Sequence, residues 1–162
     1  MKQKIAVLGS TGSIGANTLD VIARHPERFE VFALSASTSV DPMLQQCAQF
    51  RPAFAVMAQE EAGRALAARL ESAGLPTRVL WGDQHLHTGW SMDAVAAHES
   101  VDAVMASIVG AAGLSSCMAA ARAGKKLLLA NKEALVVGGE LFLQAVRDGG
   151  ATLLPIDSQH SA

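Results

Sequence analysis

Short runs of apolar and β-branched residues alternate along this chain with longer stretches whose apolar positions recur at helical spacing. The runs 4–9, 29–35, 53–57, 77–81, 102–108, 126–130 and 151–156 are predicted strands. Several are continuously apolar rather than alternating, which is the pattern of strands covered by helices on both sides of a sheet. Helices are predicted over 14–24, stopped by His25-Pro26, and from Asp41-Pro42 onward, with proline in the first turn. Further helices are predicted over 59–72 ending at Gly74, over 83–98 with Gly89 and Ser91 as interruptions, over 114–123 ending at Gly124, and over 133–148 ending at Gly149-Gly150. Seven strands alternating with helices, with no strand-only stretch, predict an α/β fold: a doubly wound, mainly parallel sheet with helices on both faces. No fixed-period repeat, low-complexity segment or long linker divides the 162 residues, so one continuous core is expected.

Composition narrows the function classes. Half the residues are hydrophobic, which excludes disorder, and only 4% are aromatic, so the core is built from Leu, Val, Ile and Ala. The 13 Lys+Arg against 15 Asp+Glu leave a net charge of -2. A general electrostatic grip on nucleic acid or an anionic membrane is thereby excluded as the main function, while a local basic patch stays open. Cys47 and Cys117 have neither a CxxC partner nor a His-rich neighbourhood. They read as small buried apolar residues in a reducing cytosol rather than as a disulfide or zinc framework. After Met1-Lys2-Gln3-Lys4 only Ile5, Ala6, Val7 and Leu8 precede Gly9, too short a run for an export signal. The uncharged stretch 103–121 is long enough to cross a bilayer, but Ser107, Gly110, Gly113, Ser115 and Ser116 interrupt it, and it reads as strand, turn and helix start. A cytoplasmic protein is expected, with neither nucleic acid nor membrane as a partner.

The chemistry concentrates where strands end. Gly9-Ser10-Thr11-Gly12-Ser13-Ile14-Gly15 follows the first strand and opens the first helix. Glycines there let the backbone turn tightly and approach a pyrophosphate, whose charge meets the N–H groups of the helix start, and Thr11 and Ser13 offer hydroxyl donors. The spacing is GxxGxxG, and a purely structural glycine turn is the competing reading. A P-loop is excluded, because no GxxxxGK[ST] occurs. The segment 35–39 after the second strand has no carboxylate to hold a pair of ribose hydroxyls. Its hydroxyls at Ser37, Thr38 and Ser39 suit a 2′-phosphate, favouring NADPH over NADH, although no Arg or Lys stands there to pair with it. A Ser/Thr turn leading to a cap at Asp41 explains the same residues.

Between the sixth strand and the last helix lie Asn131, Lys132 and Glu133. Asn131 suits an N-cap and Glu133 the helix dipole. The same rim position suits cofactor contacts from Asn131 and Glu133 and a positive charge from Lys132 toward a substrate. Asp157 closes the seventh strand, as a helix-capping residue or as an oxygen ligand for Mg²⁺ or Mn²⁺. His85 and His87 diverge on a helix and read as a solvated pair, and His25 and His98 read as partners of helix C-terminal dipoles. A semialdehyde dehydrogenase has a similar glycine loop but needs a nucleophilic cysteine. A stand-alone nucleotide-binding regulatory module is the non-enzyme alternative.

Taken together, residues 8–15 (LGSTGSIG) with 17–20, 104–114 (VMASIVGAAGL), 129–135 (LANKEAL), 154–158 (LPIDS) and 160–162 resemble the 1-deoxy-D-xylulose 5-phosphate reductoisomerase family. The resemblance implies a Rossmann-like NADPH-binding domain over 1–156 and the start of a catalytic, metal-binding region over 157–162. It implies NADPH and a divalent metal (Mg²⁺ or Mn²⁺) as cofactors, a phosphorylated sugar as substrate, and a homodimer. Its reaction rearranges and reduces 1-deoxy-D-xylulose 5-phosphate to 2-C-methyl-D-erythritol 4-phosphate. By position, Thr11, Gly12, Ser13 and Ile14 would hold the dinucleotide phosphates, and Ser37, Thr38 and Ser39 the adenosine ribose phosphate. Asn131 and Glu133 would contact cofactor, Lys132 and Ser158 substrate, with Lys132 in the catalytic role, and Asp157 and Gln159 metal. Two departures stand out: many relatives have a Gly-basic-Asn triplet at 37–39, and a metal-binding Glu where this chain has Gln159. Further parts of such an enzyme are expected beyond Ala162, and the 162 residues alone are expected not to turn over.

Overall fold

The computed structural model describes residues 2–81, 91–107, 111–129 and 133–155. Seven strands form one sheet: β1 (Gln3–Leu8), β2 (Phe29–Ala36), β3 (Phe54–Met57), β4 (Arg78–Trp81), β5 (Ala103–Ala106), β6 (Lys126–Leu129) and β7 (Thr152–Pro155). Their spatial order is β4-β3-β2-β1-β5-β6-β7, and every neighbouring pair is parallel. The chain therefore winds outward from β1 in one direction, returns across it, and winds outward again from β5. That order places a topological switch between β1 and β5, where loops on adjacent strands diverge to opposite faces and leave a crevice.

Among the described residues, six helices connect the strands: α1 (Ser13–Arg24), α2 (Val40–Phe50), α3 (Glu60–Ser72), α4 (Ser91–Ala96), α5 (Ala111–Arg122) and α6 (Glu133–Gly149). Because successive strand side chains point to opposite faces, β1 divides its residues between two cores. Ile5 and Val7 join Leu19, Ile22, Met43, Cys47, Leu66 and Leu70 beneath α1, α2 and α3. Ala6 and Leu8 join Val95, Cys117, Ala120 and Phe142 beneath α4, α5 and α6. The continuous apolar runs in the sequence are thus explained by burial on both faces. Alanines on the strands and helices, among them Ala6, Ala33, Ala55 and Ala120, let the layers approach closely, and Phe142 of α6 adds a fully buried ring.

The predicted elements are recovered with three differences. The pairing of β1 with β2 shifts between Ile5 and Ala6, so that Phe32 is an extra residue in β2. Of the helix predicted over 83–98, the described part is α4, and 82–90, with His85 and His87, lie outside the described residues. The helix predicted over 133–148 is broken at Gly139, whose φ of 50° and ψ of -135° suit glycine alone. His98 lies beyond the end of α4, where its Nδ1 accepts a hydrogen bond from the Ser100 N–H at 3.0 Å. Its ring rests against Phe32 and Phe54, with centroid separations of 4.8 and 5.8 Å. No helix among the described residues is long and apolar enough to cross a membrane.

Candidate dinucleotide site

The site is built on the C-terminal ends of β1, β2 and β5. Leaving β1, Gly9 turns with a φ of 78°, a left-handed conformation that a side chain would strain. Gly12 then caps α1 with extended backbone, and the first helical bond runs from the Ala16 N–H to the Gly12 carbonyl at 2.8 Å. The N–H groups of Ser13, Ile14 and Gly15 have no carbonyl within the helix to bond. Gly12 offers no side-chain cap, no described side chain caps this end, and the first turn has no acidic residue. An uncapped helix start with aligned peptide dipoles is a favourable place for an anion.

Two glycines have separate tasks there. A Cβ built on Gly15 would lie 2.3 Å from the Gly9 carbonyl oxygen and 2.7 Å from the Ser10 Cα, so Gly15 lets α1 press against the loop. Among the described residues, a Cβ on Gly12 would meet only the Gly9 oxygen, at 3.6 Å, and otherwise points into open space above the loop. That space is the cradle a ligand phosphate needs in order to reach the backbone.

The loop is held by residues that sequence reasoning did not single out as such. Ser35 at the end of β2 is 1% exposed. Its hydroxyl accepts the Gly9 N–H at 3.0 Å, and its carbonyl accepts the Ser10 N–H at 2.8 Å. From α2, the Gln46 amide donates to the Ser10 carbonyl at 2.9 Å. From across the switch point, Ser107 just beyond β5 donates its hydroxyl to the carbonyls of Leu8 at 2.6 Å and Gly9 at 3.2 Å. The only sequence signal was a small hydroxyl residue at each strand end, which is too common to interpret without knowing which strands are neighbours.

Ser37, Thr38 and Ser39 follow β2 on the same rim. Ser37 and Thr38 are exposed and Ser39 is half-buried, and none of their hydroxyls bonds to another described residue. The expected cap at Asp41 is corrected: Ser39 occupies the N-cap position of α2 without a side-chain cap bond, and Asp41 sits within the first turn, paired with Arg69 of α3. Beside this segment a cavity of about 250 Å³ is lined by Thr38, Val40, Gln59, Glu61, Ala62 and Ala65. A larger groove, about 610 Å³, opens at the opposite ends of the strands around Lys4, Phe29, Phe50 and Pro76, and shares no residue with the glycine loop.

Glu133 is the first residue of α6, and its side chain lies outside the described part. Asn131, Lys132, Asp157, Ser158 and Gln159 lie outside the described residues. Among the described residues, no group of three His, Cys, Asp or Glu side chains is arranged to hold a metal ion. The cysteines are free and buried, Cys47 on α2 and Cys117 on α5. Burial pushes both thiols up to about 11, with a hydrogen bond to Thr77 opposing the effect at Cys47. Neither is a poised nucleophile, which removes the feature a semialdehyde dehydrogenase requires.

The comparisons with known proteins converge on these segments. The family model described as 1-deoxy-D-xylulose 5-phosphate reductoisomerase matches residues 5–139, from β1 through the break in α6. The chain belongs to the 1-deoxy-D-xylulose 5-phosphate reductoisomerase family. A relative of that name from Cupriavidus metallidurans (strain ATCC 43123 / DSM 2839 / NBRC 102507 / CH34) is 55% identical over 99% of this chain and 39% of its own length. A crystal structure of DOX-P reductoisomerase in complex with NADPH, fosmidomycin and magnesium matches 99% of this chain and 38% of its own, at 44% identity and a TM-score of 0.88. The reductoisomerase from Zymomonas mobilis in complex with NADPH matches 100% of this chain and 40% of its own, at 38% identity and a TM-score of 0.87. This chain thus spans about two-fifths of the length of the family members it matches.

Proposed function

We propose that this chain is the NADPH-binding part of an enzyme that rearranges and reduces 1-deoxy-D-xylulose 5-phosphate to 2-C-methyl-D-erythritol 4-phosphate. The observation that carries the reading is the uncapped start of α1 behind the glycine loop, at the sheet's switch point, in a chain of the reductoisomerase family. Solved relatives in complexes named for NADPH and magnesium support the cofactor assignment. When bound, NADPH supplies the hydride that reduces the rearranged aldehyde, and Mg²⁺ or Mn²⁺ chelates the substrate's oxygens.

In this reading the backbone at Thr11, Gly12, Ser13 and Ile14 holds the dinucleotide phosphates against the helix start. Ser37, Thr38 and Ser39 hold the adenosine ribose phosphate with neutral hydroxyl donors. Asn131 and Glu133 contact the cofactor, and Lys132 and Ser158 bind the phosphorylated sugar, with the Lys132 ammonium as its fixed positive charge. Asp157 is a metal ligand. Gln159 adds an amide oxygen without charge, so metal is held more weakly than a second carboxylate would hold it. Residues 1–156 form the cofactor domain and 157–162 open the catalytic region of a cytoplasmic homodimer that engages neither nucleic acid nor membrane.

A chimera tests the function. These 162 residues replace the matching part of the Cupriavidus metallidurans relative, and NADPH absorbance is followed with 1-deoxy-D-xylulose 5-phosphate and Mn²⁺. Oxidation dependent on both sugar and metal is expected, with tighter Mn²⁺ binding after Gln159→Glu. A folded chimera that binds NADPH but shows no oxidation, even with Gln159→Glu, contradicts the assignment.

A further inference from the structure

We propose that Glu61 is a specificity-determining residue at the 2′ position of the bound dinucleotide, restraining the preference for NADPH over NADH. The proposal rests on the reading that the glycine loop and residues 37–39 hold the cofactor. In a doubly wound sheet the adenosine ribose lies at the end of the second strand, where this chain has Ser37-Thr38-Ser39 and no cation. The cavity that adjoins Thr38 is also lined from the start of α3, by Gln59, Glu61, Ala62 and Ala65. An adenosine entering between the ends of β2 and β3 therefore brings its 2′ substituent onto a surface that Glu61 shares.

The charges around that surface are unequal. Arg64 pairs with Glu60 at 3.3 Å and also lies over the Trp81 ring, 5.3 Å from its centroid. Arg69, the other cation of α3, pairs with Asp41. Both arginines of the helix are therefore engaged with neighbouring acids. Glu61 is exposed and has no ion pair among the described residues. A 2′-phosphate carries close to two negative charges, and beside this carboxylate it meets repulsion that a 2′-hydroxyl does not meet. The hydroxyls of Ser37, Thr38 and Ser39 favour the phosphate, and Glu61 opposes it.

The test is a fluorescence titration of the 162-residue chain with NADPH and with NADH, as wild type and as Glu61→Gln. The variant keeps the size of an exposed side chain, and circular dichroism confirms that it folds. Glu61→Gln should tighten NADPH binding roughly twofold to fivefold, leave NADH binding unchanged, and lose most of its advantage in about 1 M salt. Equal effects on the two cofactors, or no effect on NADPH, overturn the proposal while leaving the site reading intact. Failure of the wild-type chain to bind either dinucleotide overturns the site reading, and this proposal with it.

Discussion

At the residue scale, the glycine loop separates structural from ligand-directed glycines. Gly15 is required by the close approach of α1 to the Gly9 carbonyl and the Ser10 Cα, both backbone atoms that cannot move aside cheaply. Gly15→Ala should cost about 1–3 kcal/mol of stability and lower the thermal midpoint by several degrees, because the helix start must shift. Gly12 has backbone angles any residue can adopt, and among the described residues a Cβ there would touch only the Gly9 oxygen, at an ordinary 3.6 Å. Gly12→Val should leave stability within about 0.5 kcal/mol but weaken NADPH binding more than tenfold, by filling the space of the phosphate. Thermal melts and NADPH titrations of both variants check this, and equal loss of stability would contradict the division. The motif itself was legible in the sequence, because strand, glycines and helix follow one another locally. Ser35, Gln46 and Ser107, which hold the motif in shape, were not, since each reaches the loop from a distant part of the chain.

At the element scale, hydrophobic patterning located the seven strands to within a few residues, because burial on both faces leaves continuous apolar runs, whereas of the helix expected over 83–98 only Ser91–Ala96 falls among the described residues. What escaped it were irregularities decided by packing. The extra residue in β2 places Phe32 against His98 and Phe54, which no local pattern announces. The break in α6 falls at Gly139, where the sequence suggested an unbroken helix. A Cβ on Gly139 would meet nothing within 4 Å, so any cost of substitution comes from the backbone conformation alone. Gly139→Ala should therefore destabilise the chain by about 1–3 kcal/mol without a steric clash. Replacement by D-alanine, introduced by semisynthesis, should be tolerated. A denaturation midpoint unchanged by L-alanine would show that the break has no energetic hold on the fold.

At the scale of the whole molecule, the order β4-β3-β2-β1-β5-β6-β7 turns separate sequence motifs into one rim. It brings the ends of β1, β2 and β5 together, with the glycine loop between them and Ser37, Thr38 and Ser39 beside it. The doubly wound fold was predictable from the alternation of elements, and the family resemblance from its motifs, whereas the charge balance around the adenosine end emerged only when α3 was seen to face Thr38. We infer that this rim binds NADPH and favours it over NADH through the hydroxyls after β2. The measurement that tests it most directly is the paired affinity of the 162-residue chain for the two cofactors at moderate ionic strength. Saturable binding of both is expected, with NADPH the tighter ligand despite Glu61, and the Ser37→Ala, Thr38→Ala, Ser39→Ala triple variant should lose that preference. Equal affinities in the wild-type chain, or no saturable binding by a folded chain, would contradict it.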